Sequence, residues 1–362
     1  MVLQYLPLII EEMKIFVLTS NLAEKHGYGR YSINLASALR EKGVETVFAQ
    51  GLPNPLSYKK NYFLAFWYAL RLQGRAKDCD IIHSFVEPYS YIAYWLSKFT
   101  GKKYFITVHG TFGVLPYSFP SYKRYFHKKS FENAAMVICV SRYTKKRLSE
   151  FGLKNLEVIN NGINFEKFYR EPLPPPDERG SIILSVGALK HRKGYHVSLE
   201  AFTKVCSKFA NLKYTIVGDQ GDSIYFAQLK KTVSRLGVED KVEFLKNISD
   251  DKLLNLYRKA KLFVLTPVSE GSNFEGFGLV YLEAGASGLP VIGSLDSGAE
   301  DAIKDGETGI LVPQNDPEVT AKAIIKILEN SSLAKNLETN GVMWAKEHDW
   351  RKITQSYLEI YK

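Results

Sequence analysis

Cysteine is scarce in this chain: only Cys79, Cys139 and Cys206 occur among its 362 residues. These three are odd in number, widely separated and without the spacing of zinc ligands. The sequence therefore predicts neither a disulfide framework nor a metal site. Such sparse usage is typical of a reducing compartment and of a cytoplasmic protein, and we expect the three thiols to be buried as small apolar groups.

Long hydrophobic runs are also missing. No segment approaches the roughly 18 uninterrupted apolar residues of a membrane-spanning helix. The apolar stretch before Glu11 is short, contains Pro7 and has no basic residues before it. It therefore fits neither a signal peptide nor a membrane-spanning helix. Met13 begins a natural strand, so the first twelve residues are expected to be an extension of little structural weight.

Negative charge is under-represented in the first half of the chain. Residues 1–170 contain 24 Lys and Arg against 12 Asp and Glu, a net charge of +12, whereas the remainder has 24 against 26. All of the overall excess of +10 thus lies in the first half. This asymmetry suggests an anionic partner for that half, such as membrane lipid, a phosphate-bearing acceptor or nucleic acid.

What the chain does have is a regular alternation of apolar strands and helical patterns, which predicts doubly wound parallel sheets. The alternation is interrupted once, at 170–180 (REPLPPPDERG), where four prolines indicate an interdomain linker. We therefore expect two similar α/β halves facing each other across a cleft, with ligands at the carboxyl ends of the strands. The predicted strands are Lys14–Ser20, Val44–Gln50, Ile81–His83, Tyr104–His109, Met136–Ser141, Leu156–Asn160, Ser181–Val186, Lys213–Gly218, Val242–Leu245, Leu262–Thr266, Pro290–Gly293 and Gly309–Val312.

The stretch NFEGFGLVYLEA, at 273–284, contains two carboxylates, Glu275 and Glu283, eight positions apart. A helix is predicted from about Phe277 or Gly278 to about Ser287. Its first N–H groups have no partner within the helix, and glycine lets an anion such as phosphate come close. An ordinary amphipathic helix with a glycine-rich entry would show the same pattern, so spacing alone leaves both readings open.

Three further motifs fall in strand-to-helix turns or at strand ends, where α/β proteins bind ligands. Gly27 and Gly29 lie in the first turn, before a helix predicted over Tyr31–Lys42. A basic turn, GALKHRKG at 187–194, suits a diphosphate because Arg forms forked hydrogen bonds and Lys supplies a point charge. His109 ends its strand and is expected to point into the cleft. The plain alternatives are a tight turn for the two glycines, a solvated basic loop for 187–194 and a structural role for His109.

Two stretches mix aromatic with basic residues, 56–77 and 116–129. Such mixtures suit a membrane surface or a nucleic acid, but an amphipathic helix with core aromatics and solvated charges gives the same composition. The amphipathic-helix interpretation is favoured for the first stretch. For the second stretch the two interpretations are equally supported, because charge is concentrated beside three aromatics by Lys123, Arg124, Lys128 and Lys129.

Together these residues resemble a known family. The glycine loop, the His-Gly strand end, SRLGVEDKVEFLKNISD at 234–250 and above all EGFGLVYLEAGASGLPVIGS at 275–294 are similar to the retaining glycosyltransferases of family 4. The resemblance runs from Met13 onward, and its Glu-x7-Glu block is the specific part. It implies the GT-B fold, with an N-terminal acceptor domain at 1–170, a linker at 171–180, a donor domain at 181–344 and a C-terminal helix at about 345–362 packing back on the first domain.

The resemblance also implies an activity: transfer of a hexose from a nucleotide-diphosphate sugar, a UDP- or GDP-sugar, to an acceptor hydroxyl with retained α configuration, without a metal or other cofactor. Glu275 and His109 are implied at the reacting sugar and Glu283 at the ribose. The other implied donor contacts are Gly27, Gly29, Arg192, Lys193, Lys246, Asn247, Ile248, Phe277, Gly278 and Leu279. A carbohydrate or lipid-linked acceptor and an anionic membrane surface on the cytoplasmic face are the expected partners, whereas nucleic acid is not expected.

One position departs from the family pattern. Arg usually follows the glycine after the first donor-domain strand, but Ala188 stands there, so one phosphate contact is either absent or supplied by Arg192 or Lys190. Two alternatives to a transferase follow. One is an epimerase or phosphorolytic enzyme of the same fold. The other is a non-catalytic lipid- or nucleic-acid-binding protein on a degenerate transferase scaffold.

Overall fold

The computed structural model describes residues 13–20, 22, 27–50, 52, 62–175 and 178–362. The predicted N-terminal extension and most of the loop before Gly27 lie outside these residues. By internal packing the chain divides into two compact units. Unit 1 comprises the described residues of Met1–Cys139, Leu148–Glu157 and Thr354–Lys362, and unit 2 comprises Val140–Arg147 and the described residues of Val158–Ile353.

Unit 1 is built on a six-stranded sheet with the order β2-β1-β3-β4-β5-β6, in which the paired strands from β1 to β5 run parallel. The strands are β1 Lys14–Leu18, β2 Glu45–Phe48, β3 Ile81–Ser84, β4 Lys103–Val108, β5 Met136–Cys139 and β6 Leu156–Val158. The helices are α1 Gly27–Glu41, α2 Tyr62–Lys77, α3 Ser90–Thr100, α4 Thr111–Val114 and α5 Ser121–Glu132. This arrangement confirms the predicted α/β alternation.

The C-terminal helix closes the core of unit 1. Helix α15, Trp350–Tyr361, contributes its last turns, and two buried tyrosines carry the contact. The Tyr357 hydroxyl lies 2.8 Å from that of Tyr31, and the Tyr361 hydroxyl lies 2.6 Å from Nδ1 of His83. The segment that packs with unit 1 is 354–362, a shorter stretch than the helix at 345–362 that the resemblance implies.

Unit 2 repeats the design with a second six-stranded parallel sheet, of order β12-β11-β10-β7-β8-β9. Its strands are β7 Ile182–Val186, β8 Lys213–Val217, β9 Val242–Leu245, β10 Leu262–Val264, β11 Val291–Ser294 and β12 Gly309–Val312. Its helices are α7 Phe165–Phe168, α8 Tyr195–Cys206, α9 Ser223–Arg235, α10 Asp250–Lys259, α11 Leu279–Ala286, α12 Ala299–Ala302, α13 Pro317–Glu329 and α14 Ser331–Glu347. Helix α6, Arg142–Ser149, contributes its first six residues to this unit.

Several helices of unit 2 begin at a side-chain cap that the sequence supplies. Asp222, Ser249, Asp316 and Asn330 each accept a hydrogen bond from the amide three residues ahead, at the starts of α9, α10, α13 and α14. Such caps satisfy one of the amides that a helix start leaves without a partner, and they fix where the helix begins. The capping residues therefore determine where these four helices begin.

The described residues of the proline-rich segment belong to unit 2. Arg179 is buried, with Nη2 3.9 Å from a carboxylate oxygen of the buried Glu338, and Nη2 of Arg258 donates to the carbonyl of Pro172. The longer segment of unit 2 runs from Val158 to Ile353, and the predicted domain bounds of 1–170, 171–180 and 181–344 stay predictions.

Candidate active site

Two neighbouring strands of unit 2, β7 and β10, bring two loops together at their carboxyl ends. Gly194 marks the closest approach: its φ is +68°, and a Cβ there would lie 1.7 Å from the carbonyl oxygen of Thr266. Only glycine satisfies both conditions. The basic turn after β7 is thereby held against the loop after β10, which leads into Glu275 and α11.

These loops form a charged cluster of three side chains from distant parts of the sequence. Nζ of Lys193 lies 2.5 Å from Oε2 of Glu275, and Nη1 of Arg192 lies 3.0 Å from the same oxygen. Arg192 also donates to the carbonyl of Phe274 at 3.3 Å. Lys193 and Glu275 are both buried, with 9% and 7% exposure. The structure thus brings together three of the residues that the sequence selected.

The pKa values of this cluster reflect opposing effects. Burial on its own would raise the pKa of Glu275, but the charges and hydrogen bonds of Lys193 and Arg192 outweigh it, so the pKa is lowered. For Lys193, burial is the largest effect and lowers the pKa, while the charge of Glu275 opposes this shift. The site therefore holds an ionised carboxylate beneath two cations.

Helix α11 begins one or two residues later than predicted, at Leu279, with Gly278 as its N-cap. Gly278 has a φ of +86°, and a Cβ there would lie 2.5 Å from the ring of Tyr281, so glycine is required. Phe277 precedes the helix and is buried. The first amide of α11, that of Leu279, stands four residues after Glu275, at the helix end whose dipole favours an anion.

Glu283 lies on α11 and is buried, with 3% exposure. The hydroxyl of Tyr257, on α10, donates to its Oε2 at 3.1 Å. Tyr257 is a residue that sequence reasoning missed, because its contact with Glu283 joins two elements 26 residues apart and leaves no local pattern.

At the departure from the family pattern, the backbone is held by a tyrosine. The Tyr195 hydroxyl donates to the carbonyl of Gly187 at 2.6 Å, and the Ala188 methyl adds no polar group there. Lys190 is exposed, and Arg192 takes part in the charged cluster. Tyr195 is a second residue that the motif pattern did not reveal.

The other predicted residues of unit 2 lie at the end of β9, the edge strand. Lys246 and Asn247 are exposed, and Ile248 is half-buried. Asn247 has a φ of +52°, a conformation that asparagine adopts more readily than most residues. No contact in the described residues links them to the charged cluster.

In unit 1 the glycines lie differently from the prediction. Helix α1 begins at Gly27, so Gly27 and Gly29 form its first turn, whereas a loop was expected up to residue 29 and a helix from Tyr31. Gly29 is buried and Gly27 exposed. The prediction was wrong because glycine has a poor intrinsic helix propensity, which tertiary contacts override here.

His109 follows β4 and is held in one tautomer. Its Nε2–H donates to the carbonyl of Phe85 at 2.9 Å, which leaves Nδ1 as the acceptor. Burial lowers the pKa of His109 to about 4, so the ring is neutral near pH 7. The rings of Tyr28 and Tyr31 lie 5.2 Å and 4.4 Å from it.

Among residues 13–20, 22, 27–50, 52, 62–175 and 178–362, no group of three or more His, Cys, Asp or Glu side chains is arranged to hold a metal ion. In the same part of the chain no helix is long and apolar enough to cross a membrane. The three cysteines are free and buried.

Comparison with known proteins identifies two family matches that together span most of the chain. Residues 26–167 match Glycosyltransferase Family 4, and residues 167–344 match Glycosyl transferases group 1. An uncharacterized glycosyltransferase of Methanocaldococcus jannaschii is 29% identical over 79% of this chain and 76% of its own length. The GDP-mannose-dependent alpha-(1-6)-phosphatidylinositol monomannoside mannosyltransferase of Mycolicibacterium smegmatis is 29% identical over 60% of each chain.

Among solved structures, Anabaena Alr3699/HepE, determined in complex with UDP and glucose, superposes with a TM-score of 0.77 at 19% identity. The match covers 96% of this chain and 98% of that one. At this level of identity the likeness establishes the fold. For the mannosyltransferase the matched part is less than two thirds of its length.

Proposed function

Because this chain belongs to the family-4 glycosyltransferases and has the GT-B fold, we propose that it transfers a hexose of the glucose or mannose type from a nucleotide-diphosphate sugar. The acceptor is a hydroxyl group, and the new bond is α-glycosidic with retained configuration. The finer parts of this proposal rest on the site residues and on the names of the relatives, which include mannosyl- and inositol-directed enzymes.

The observation that supports the proposal is the cluster of Lys193, Arg192 and Glu275 beside the start of α11. A departing nucleoside diphosphate develops negative charge, and preorganised cations and amides are the groups that stabilise it. We propose that Lys193 and Arg192 bind the diphosphate, with amides of Phe277, Gly278 and Leu279. Two fixed cations provide charge neutralisation without a metal.

The remaining predicted contacts stay predictions with these roles. Glu283 accepts hydrogen bonds from the ribose, and Lys246, Asn247 and Ile248 border the base. Gly27 and Gly29 contact phosphate. Nδ1 of His109, the nitrogen left as acceptor, receives a hydrogen bond from a hydroxyl of the reacting sugar.

Retention raises the question of a protein nucleophile. Glu275 is poorly suited to that role, because its Oε2 is bound by two cations and its pKa is lowered. We propose attack on the face from which the diphosphate departs, with a phosphate oxygen as base. Glu275→Gln is then expected to lose about a hundredfold in kcat without accumulating a covalent sugar. Mass spectrometry of the intact protein during turnover checks this, and a sugar adduct on any carboxylate would refute it.

The donor is identified by release of UDP or GDP from a panel of nucleotide sugars. We expect slow release from one donor and its loss in Lys193→Ala and Glu283→Ala. Lys204→Ala, a change on the exposed face of α8, is the matched control and keeps the wild-type rate. No release and no binding of any donor would refute the transferase proposal and point to Ala188 as a real loss of function.

For the acceptor we propose a carbohydrate or lipid-linked hydroxyl compound, reached at the cytoplasmic face of an anionic membrane. Support comes from α5, where Tyr122, Tyr125 and Phe126 are exposed among lysines, an arrangement suited to a headgroup interface. Binding to phosphatidylserine vesicles that weakens with salt and with Tyr122→Ser/Tyr125→Ser is expected. Equal sedimentation with neutral and anionic vesicles would contradict it.

A further inference from the structure

A buried carboxyl group in unit 1 has no role so far. Glu87 follows β3, which is the middle one of three neighbouring strands in the order β1-β3-β4. Helix α1, with Tyr28 in its first turn, follows β1, and His109 follows β4. The chain winds in opposite directions from β1 and β3, and such a reversal is where parallel sheets bind ligands.

The carboxylate of Glu87 contacts segments on both sides of its own strand. Its Oε2 accepts the backbone N–H of His109 at 3.4 Å. The Tyr28 hydroxyl donates to it as well, whereas the nearby N–H of Gly113 donates to the carbonyl of Gly110. Glu87 is 1% exposed, and its Oε1 has no hydrogen-bond partner within the described parts of the chain.

Phe85, two positions before Glu87, also binds His109. The carbonyl of Phe85 accepts the ring N–H of His109, and Glu87 accepts the backbone N–H of the same residue. Two residues of one turn thus hold both the ring and the main chain of His109. Since Tyr28 stands between Gly27 and Gly29, the same turn also holds the start of α1.

We propose that Glu87 is a positioning residue whose ionised carboxylate holds the first turn of α1 and the end of β4 in the arrangement that serves the donor. This inference rests on the proposed function, because Gly27, Gly29 and His109 are its predicted phosphate and sugar contacts. Ionised acceptors bind N–H and O–H groups more strongly than neutral ones, so protonation of Glu87 loosens both segments. Sugar transfer then depends on the charge of a group that does not touch the sugar.

The charge of Glu87 changes within the physiological pH range. Burial is the main cause that raises its pKa to about 7, and the hydrogen bonds from its own backbone N–H, from His109 and from Tyr28 only partly offset it. The nearby histidines do not titrate there, because burial lowers the pKa of His109 to about 4 and that of His83 to about 3.

The turn itself also contains Tyr89, and on α1 Arg30 and Tyr31 follow Tyr28. Titratable groups on the other elements packed against this turn are farther along those elements. Helix α4 has none in its sequence Thr-Phe-Gly-Val. On α3, which starts just after the turn, Tyr91 and Tyr94 are followed by Lys98 in the last turn. On β4, Lys103 and Tyr104 stand at the end opposite His109.

The test compares wild type with Glu87→Gln, which keeps the shape and an acceptor but cannot ionise. Wild-type kcat/KM for the donor should rise between pH 6 and 8 with a midpoint near 7. Glu87→Gln should be about tenfold slower than wild type at pH 8 and similar to it at pH 6. If Glu87 had a purely structural role, Glu87→Gln would lower kcat/KM by the same factor at every pH, and that result would overturn the proposal.

Two variants complete the comparison. Glu87→Asp keeps the charge and should retain the rise with pH. Glu41→Gln, at the exposed end of α1, is the matched control and should behave as wild type. Thermal unfolding and circular dichroism of each variant show that the fold is intact.

A second readout does not depend on catalysis. In wild type the backbone amide resonance of His109 should titrate with a midpoint near pH 7, and Glu87→Gln should abolish this titration. If wild type releases nucleotide but this amide does not titrate, the Glu87 proposal is wrong. If no donor is turned over, the transferase proposal fails, while the amide titration still decides whether Glu87 controls these segments.

Discussion

Glu87 in unit 1 and Glu275 in unit 2 are both buried carboxyl groups that follow strands of parallel sheets, yet their pKa values shift in opposite directions. Glu87 receives only neutral donors, and burial raises its pKa to about 7. Glu275 is also buried, but Lys193 and Arg192 lower its pKa. Burial supplies a similar penalty in both units, and the neighbouring charges determine whether the carboxyl group stays ionised.

The comparison indicates two different uses of a buried carboxyl group. A carboxylate beneath two cations has one charge state across physiological pH, which suits a fixed electrostatic site. A carboxyl group held by neutral donors changes its charge near pH 7, which suits a contact that is made and released.

The largest effect is expected from Lys193→Met. It removes a cation proposed to bind the diphosphate, so donor turnover should fall by about a thousandfold. It also leaves Glu275 with Arg192 alone, and the free energy of unfolding should fall by about 2 kcal/mol, less than for an unpaired buried charge. Nucleotide release and urea unfolding measure the two effects.

A double variant separates these effects. Lys193→Met combined with Glu275→Gln removes the unbalanced charge, so it should recover stability but not turnover. A single variant as stable as wild type would show that the ion pair contributes nothing. Wild-type turnover in that variant would exclude Lys193 from the donor site.

A smaller effect than that thousandfold loss of turnover is expected from Glu87→Gln, and it falls on the pH dependence of stability. The folded pKa of about 7 exceeds the ordinary value of 4.5, so between these values the folded protein holds a proton that the unfolded chain has released. Wild type therefore loses stability as pH rises through this window. Between pH 4 and pH 8, the free energy of unfolding of Glu87→Gln should therefore rise by about 3 kcal/mol relative to that of wild type. Parallel unfolding curves for the two proteins at every pH would contradict this.

The smallest effect is expected from Tyr28→Phe. It removes one neutral donor that lowers the pKa of Glu87, so the midpoint of the His109 amide titration should rise by about half a unit. Tyr122→Phe, on the exposed face of α5, should leave the midpoint unchanged. A downward shift in Tyr28→Phe would mean that the hydroxyl stabilises the protonated carboxyl group instead.

Much of the fold follows from the sequence because its signals are local. The apolar run Lys14–Ser20 predicted β1, Lys14–Leu18, closely, and the start of α11 predicted at Phe277 or Gly278 lies within one or two residues of Leu279. The start of α1 at Gly27 was not predicted, since glycine disfavours helix locally and packing decides its conformation. The assignment of Val140–Arg147 to unit 2 was also not visible, because prolines mark a break in regular structure and not which core a segment packs against.

The site was predictable where it forms a motif. Lys193 and Glu275 were selected from their own loops, and the structure joins them across 82 positions. Glu87, Tyr195 and Tyr257 were missed, because each acts through a contact between elements that no spacing rule encodes. Glu87 had one usable signal: like His109, it is a polar residue close after a buried strand, at the edge where such sheets bind ligands.

The return of residues 354–362 to unit 1 has a consequence for how the chain is made. Tyr357 and Tyr361 complete the hydrogen bonds of Tyr31 and His83, yet the ribosome adds them only after every residue of unit 2. Translation proceeds from the N-terminus, and domains ordinarily fold as they emerge. Unit 1 is therefore the first to begin emerging from the ribosome but the last whose residues are all synthesised. A nascent chain can fold unit 2 before residues 354–362 are available to pack into the core of unit 1.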